Sequence, residues 1–138
     1  VEMGLWQLLM FVFTVKFADI GAYTIGKIFG KHKMVPSISP GKTWEGLLGA
    51  LIFAIIVSIA FQAALKNMLN LNLIKAVIFG CSFAIIGQLG DLVESMIKRD
   101  AQKKDSSTAL PGFGGLLDVI DSPLAAAPLA YLFFKLFV

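Results

Sequence analysis

The sequence predicts an all-α, polytopic integral membrane protein, with about four transmembrane helices and two basic cytoplasmic loops. Three observations carry this. The 138 residues are 57% hydrophobic and only 15% charged, against about 45–50% and a quarter in soluble domains. Mean hydropathy is +0.81. Gly46 to Leu65 (GLLGALIFAIIVSIAFQAAL) holds no ionisable side chain and matches the roughly twenty residues that cross a hydrocarbon core about 30 Å thick. A water-soluble enzyme, a disordered tail and a disulfide scaffold are excluded, because so small a globule cannot bury twelve Phe and uncharged runs of this length.

Two further segments are long enough to span but carry charge: about Leu5 to Ile28, with Lys16 and Asp19, and about Leu73 to Ile97, with Asp91 and Glu94. The last span, about Leu116 to Val138, opens with Asp118 and Asp121. Proline fits the first turn of a helix and breaks later ones, so Pro123 sets the expected helix start near Ser122, with Asp121 or Ser122 as cap and a kink at Pro128. Lys27 to Thr43 and Lys98 to Gly115 are rich in Gly, Pro, Ser and Lys and read as loops. Lys66 to Asn72 reads as a short turn. Gly49 and Ala50 suit close helix packing.

The cations orient these spans. Lys27, Lys31, Lys33 and Lys42 fall in one long loop and Lys98, Arg99, Lys103 and Lys104 in the other, so both are expected on the cytoplasmic face. The net charge of +3 is accounted for by these loops. No basic run is interleaved with exposed aromatics, so no nucleic acid is expected as a partner. Cys81 is the sole cysteine and has no disulfide or metal-binding partner of its kind. The chain begins Val-Glu-Met without a basic n-region or cleavage site, and is read as a fragment of a longer membrane protein.

The chemistry is expected where charge enters the membrane. A carboxylate at mid-bilayer costs at least about 2.5–3.5 kcal/mol, so it persists only where it faces protein, water or a cation. Asp91, Glu94, Ser95 and Lys98 share one helical face at i, i+3, i+4 and i+7. Asp118 and Asp121 stand three apart at a helix start, where amide dipoles favour anions. Carboxylates from two adjacent spans could hold a hard divalent cation. The plainer alternative is that Asp121 caps a helix and Asp91 pairs with Lys98. Between the acids lie Lys98-Arg99, Lys103-Lys104 and Gly112-Phe113-Gly114-Gly115, cations and approachable amides suited to a nucleoside triphosphate with its metal.

Ser95-Met-Ile-Lys98-Arg99, four residues, Lys104-Asp105, then Leu110-Pro-Gly-Phe113-Gly114-Gly115-Leu-Leu-Asp118-Val119-Ile-Asp121 resembles the signature of the phosphatidate cytidylyltransferases (CDP-diacylglycerol synthases). The usual signature has His in place of Phe113 and Arg in place of Val119. Ser39-Pro-Gly-Lys42-Thr43-Trp44-Glu45-Gly46 resembles a second segment of that family, and Asp19 with Ala22 and Tyr23 resembles its preceding helix. The resemblance implies that residues 1–138 are the C-terminal catalytic part of a polytopic membrane nucleotidyltransferase whose N-terminal helices are missing here.

It further implies conversion of CTP and phosphatidate to CDP-diacylglycerol and pyrophosphate, with Mg²⁺ and a second cation. Asp91 and Asp118 would hold the metals, with Asp121 a ligand or a partner behind them. Lys98, Arg99, Lys104 and Lys42 would neutralise phosphates, and Thr43, Glu45, Ser95, Asp105, Gly114 and Gly115 would complete the substrate site. A bacterial inner membrane, a cytoplasm-facing site and membrane lipid as partner are expected, and a homodimer is left open. The competing readings are a CTP-dependent polyprenol kinase or other lipid cytidylyltransferase, an ion-coupled transporter subunit, and a noncatalytic membrane module. His32 is expected as a solvated loop residue, Lys16 as a partner of Asp19 or a snorkelling cation, Trp6 and Trp44 as interfacial anchors, and Thr43 as a helix cap.

Overall fold

A computed structural model describes residues 2–100 and 116–137, with side chains over 4–100 and 123–137. The elements are α1 (Glu2–Phe29), a hairpin of β1 (Lys33–Val35) and β2 (Ser39–Thr43), α2 (Trp44–Ala64), the short α3 (Lys66–Leu69), α4 (Leu73–Asp100) and α5 (Leu116–Phe137). The expected all-α polytopic membrane fold is borne out. α1, α2 and α4 are long and apolar enough to cross a membrane, and Pro123–Phe137 of α5 forms a shorter apolar stretch.

Small residues set the helix crossings. A Cβ added at Gly21 would stand 2.5 Å from the carbonyl oxygen of Gly49, and one at Gly49 would stand 2.5 Å from that of Gly21. α1 and α2 therefore touch backbone to backbone, as expected of Gly49 and as small residues permit inside a bilayer. Gly80 does the same for α4 against Ala54 and Ser58 of α2, and Ser58 Oγ donates to the Ala76 carbonyl at 2.8 Å. α5 closes on α4 where Gly90 meets Ala125. A ring cluster of Phe79, Phe83, Phe133 and Phe134 fills the half of the bundle away from the hairpin.

These pairings fix direction. Phe11 meets Phe83 and Asp19 meets Gln88, so α1 and α4 run the same way. Gly90 meets Ala125 and Lys75 meets Phe137, so α5 runs back. The end of α1, the hairpin, the start of α2, the end of α4 and the start of α5 share one side of the bundle. The hairpin segment and the end of α4, with Lys98 and Arg99, thus lie on a common side.

Three local expectations change. The segment from Lys27 to Thr43 is not all loop, because Lys33 pairs with Thr43 and Val35 with Ser39 in an antiparallel hairpin. Pro40 is tolerated there since both strands of a two-stranded ribbon are edges. The turn from Lys66 to Asn72 contains α3, closed by Asn70 at φ 47, and Asn72 Oδ1 caps α4 through the Lys75 N–H at 2.9 Å. α5 starts at Leu116 rather than near Ser122, so Asp121 and Ser122 are inside the helix and Pro123 is an interior proline. Membrane helices accommodate interior prolines because no alternative backbone conformation satisfies the remaining amides in hydrocarbon.

Candidate active site

The site is assembled from Thr43 outward. Thr43 ends β2 and is the N-cap of α2, its Oγ1 accepting from the Gly46 N–H at 3.1 Å. Gly46 and Gly26 crowd that hydroxyl so closely that a Cβ at either would stand 3.1 Å from it. The cap locks the strand against α1. Successive strand residues project to opposite sides, so with Thr43 buried in this contact Lys42 reaches the other way, across to α4.

There Lys42 Nζ donates to Asp91 Oδ2 at 3.1 Å, to the Gln88 carbonyl at 3.2 Å and to Gln88 Oε1 at 3.4 Å. The Lys42 and Asp91 side chains are only 15% and 22% exposed. Gln88 in turn donates from Nε2 to Asp19 Oδ1 on α1 at 3.3 Å, and Asp19 Oδ2 lies 3.8 Å from Lys16 Nζ, the pairing that the sequence offered as one option for Lys16. These groups border a cavity of about 260 Å³ whose lining includes Asp19, Tyr23, Ser39, Lys42, Gln88 and Asp91. It opens at the hairpin end of the bundle.

The other expected site residues divide into three sets. Thr43 lines the cavity with its hydroxyl engaged as the cap. Glu45 turns to the hairpin's first residues, with Oε1 2.6 Å from His32 Nδ1 and Oε2 accepting from the His32 N–H at 3.2 Å; His32 is solvated as expected, at 77% side-chain exposure. On α4, Lys98 pairs with Glu94 at 2.7 Å, and Asp91 pairs with Lys42 of β2 at 3.1 Å. Ser95 is half-buried beside them. Arg99 Nε donates to the Ile38 carbonyl at the hairpin turn, at 3.3 Å, so it ties the end of α4 to the segment that delivers Lys42.

Asp118 and Asp121 are described in backbone only, seven and four residues before Ala125 in α5. At 1.5 Å per residue, Asp118 is about 10 Å of helix beyond the Gly90–Ala125 contact. Antiparallel to α4, that places the first turns of α5 alongside the last turns of α4. Lys104, Asp105, Gly114 and Gly115 lie outside the described residues. Among the described residues no group of three His, Cys, Asp or Glu side chains could hold a metal ion; the described carboxylates that line the cavity are Asp19 and Asp91. Oxygen donors of this kind suit a hard cation.

Sequence reasoning missed Gln88. The available signal was a polar side chain three residues before Asp91 in an apolar span, on nearly the same helical face.

A family model described as "Cytidylyltransferase family" matches residues 1–137. The chain is 45% identical over 134 residues to a phosphatidate cytidylyltransferase of Haemophilus influenzae, which covers 95% of this chain and 46% of that protein. It is 44% identical over 119 residues to a phosphatidate cytidylyltransferase of Bacillus subtilis (86% and 44%). It is 41% identical over 127 residues to one of Mycobacterium bovis (92% and 40%). The chain spans about half the length of the curated relatives it matches or less.

Proposed function

The chain belongs to the cytidylyltransferase family, and from that premise we propose that it carries the catalytic part of a membrane nucleotidyltransferase converting CTP and phosphatidate to CDP-diacylglycerol and pyrophosphate. The observation that carries this reading is the Lys42 ammonium, held 3.1 Å from Asp91 in a polar cavity at the ends of apolar helices. The names of the relatives support the same substrates. At about 260 Å³ the cavity is smaller than the roughly 300–1,000 Å³ that encloses a whole small ligand. It suits the charged end of a nucleotide, with the base outside.

A phosphatidate phosphate oxygen attacks the α-phosphorus of CTP; the bond from that phosphorus to the bridging oxygen of the β-phosphate breaks, and pyrophosphate leaves. The attacking group is already an anion and needs little general-base help, so the protein's task is to bring two anions together and to meet charge on the departing group. Lys42 is the described cation that lines the cavity, with Lys98, Arg99 and Lys104 as further phosphate partners. Thr43 and Glu45 hold the hairpin that carries Lys42, and Ser95, Asp105, Gly114 and Gly115 complete the nucleotide's surroundings.

Asp91, Asp118 and Asp121 would hold Mg²⁺ with a second cation, the oxygen-rich set that such ions take. When bound, the metal supplies Lewis-acid stabilisation of the triphosphate. Because Asp19 and Asp91 stand on helices long and apolar enough to cross the bilayer, and Lys42 on the hairpin at their ends, the lipid's acyl chains stay in the membrane while the nucleotide comes from the cytoplasm. Neither substrate has to cross the membrane. A bacterial inner membrane and a homodimeric assembly belong to this proposal.

The intact protein in detergent, given labelled CTP, phosphatidate and Mg²⁺, is expected to form CDP-diacylglycerol, and Asp118→Asn to abolish it. Excess EDTA is expected to stop turnover and added Mg²⁺ to restore it. Transfer of the γ-phosphate to a polyprenol would move the assignment to the kinase, and undiminished turnover in Asp118→Asn would remove the metal role.

A further inference from the structure

Gln88 is 6% exposed and stands between two charged side chains brought to it by other elements. Its Nε2 donates to Asp19 of α1, and its Oε1 and main-chain carbonyl both accept from Lys42 of β2. An ionised carboxylate only accepts and an ammonium only donates, so this network dictates which end of the amide faces which neighbour. A Glu here would set a second carboxylate against Asp19. A Met would take one acceptor from Lys42, which keeps Asp91 and the main-chain carbonyl, and one donor from Asp19, in a semi-enclosed site where unmade polar contacts are costly.

The count of donors sharpens the point. An ammonium has three N–H groups, and three acceptors surround Nζ, two of them from Gln88 and the third from Asp91. The long, flexible lysine stem is thus fixed in one direction before any ligand arrives. The side-chain contact, to Oε1, is at 3.4 Å.

We infer that Gln88 is the positioning residue of this cavity: its amide sets Lys42 and Asp19 in register so that the ammonium meets the phosphates of a nucleoside triphosphate without reorganising. The ligand rests on the cytidylyltransferase reading above, whereas the positioning role rests on the geometry.

The test compares intact wild-type protein in detergent with Gln88→Met, using two readouts. One is the rate at which acetic anhydride labels Lys42 at neutral pH, followed by peptide mass spectrometry, with exposed Lys31 as the internal reference. The other is kcat and KM for CTP. Release of Lys42 is expected to speed its labelling several-fold while Lys31 stays unchanged, and kcat/KM for CTP is expected to fall about ten- to a hundredfold, the range for losing hydrogen bonds to charged groups. Wild-type labelling together with wild-type kinetics would overturn the inference, as would Lys31 labelling that rises in step with Lys42, which reads general loosening. If the wild-type protein forms no CDP-diacylglycerol but Lys42 labelling still rises selectively in the variant, the catalytic reading falls and the positioning role stands. Should Gln88→Met not fold, Gln88→Glu keeps the size and the acceptor for Lys42 but loses the donor to Asp19. It is expected to leave Lys42 labelling no faster than wild type while CTP turnover still falls, and wild-type turnover there would overturn the role.

Discussion

Lys42 and Asp91, 49 positions apart in the chain, meet at 3.1 Å between a hairpin strand and a membrane helix. Neither side chain is fully buried, so the pair sits between two regimes. Exposed ion pairs are worth about 0.2–1 kcal/mol, whereas removing one partner of a fully buried pair costs about 3–5 kcal/mol.

Lys42→Met is therefore expected to lower stability by about 1–3 kcal/mol and turnover by at least about a hundredfold, the scale of losing a group aimed at developing charge. Adding Asp91→Asn to Lys42→Met should cost less stability than Asp91→Asn costs by itself, because the Lys42 contact is already gone. A thermal-melting double-mutant cycle in detergent reads this directly: simple additivity of the two single losses would deny the pair.

Thr43 serves α2 and the site together. Thr43→Ala should destabilise by about 1 kcal/mol through loss of the cap and should also lower CTP turnover, since the strand carrying Lys42 loses its anchor. Thr43→Ser keeps the acceptor for the Gly46 N–H and is expected to recover most of both. Recovery of stability without turnover would separate the cap from the positioning of Lys42.

At Gly49 the α1–α2 crossing has no room for a side chain. Gly49→Ala would set a Cβ 2.5 Å from a facing carbonyl and 2.6 Å from Ile25, so the helices must part, at a cost of about 1–3 kcal/mol. Gly4→Ala, with nothing within 4 Å, should be neutral or stabilising by up to about 1 kcal/mol. The difference in melting temperature between the two variants checks the crossing.

The places where sequence reasoning went astray have separate causes. Pro123 argued for a helix start near Ser122, but α5 is helical from Leu116 and carries Pro123 in its interior, where the ring removes one backbone hydrogen bond without ending the helix. Lys98 looked like Asp91's partner on spacing, yet Glu94 is the i, i+4 neighbour and takes it at 2.7 Å. Asp91 meets Lys42 of β2 at 3.1 Å, a contact no spacing along α4 announces.

What the amino-acid order determined is local: the three long apolar spans, the cap at Thr43, the small residues at Gly49 and Ala50, and the basic residues Lys27, Lys98 and Arg99 at helix ends. Each follows from twenty-residue hydropathy, from a hydroxyl three residues before an orphan amide, or from charges excluded from hydrocarbon. The three-dimensional packing decided which charges meet. Lys42 reaches Gln88 over 46 positions and Gln88 reaches Asp19 over 69. No periodicity encodes such encounters, because they depend on how closely glycines let α1, α2 and α4 approach.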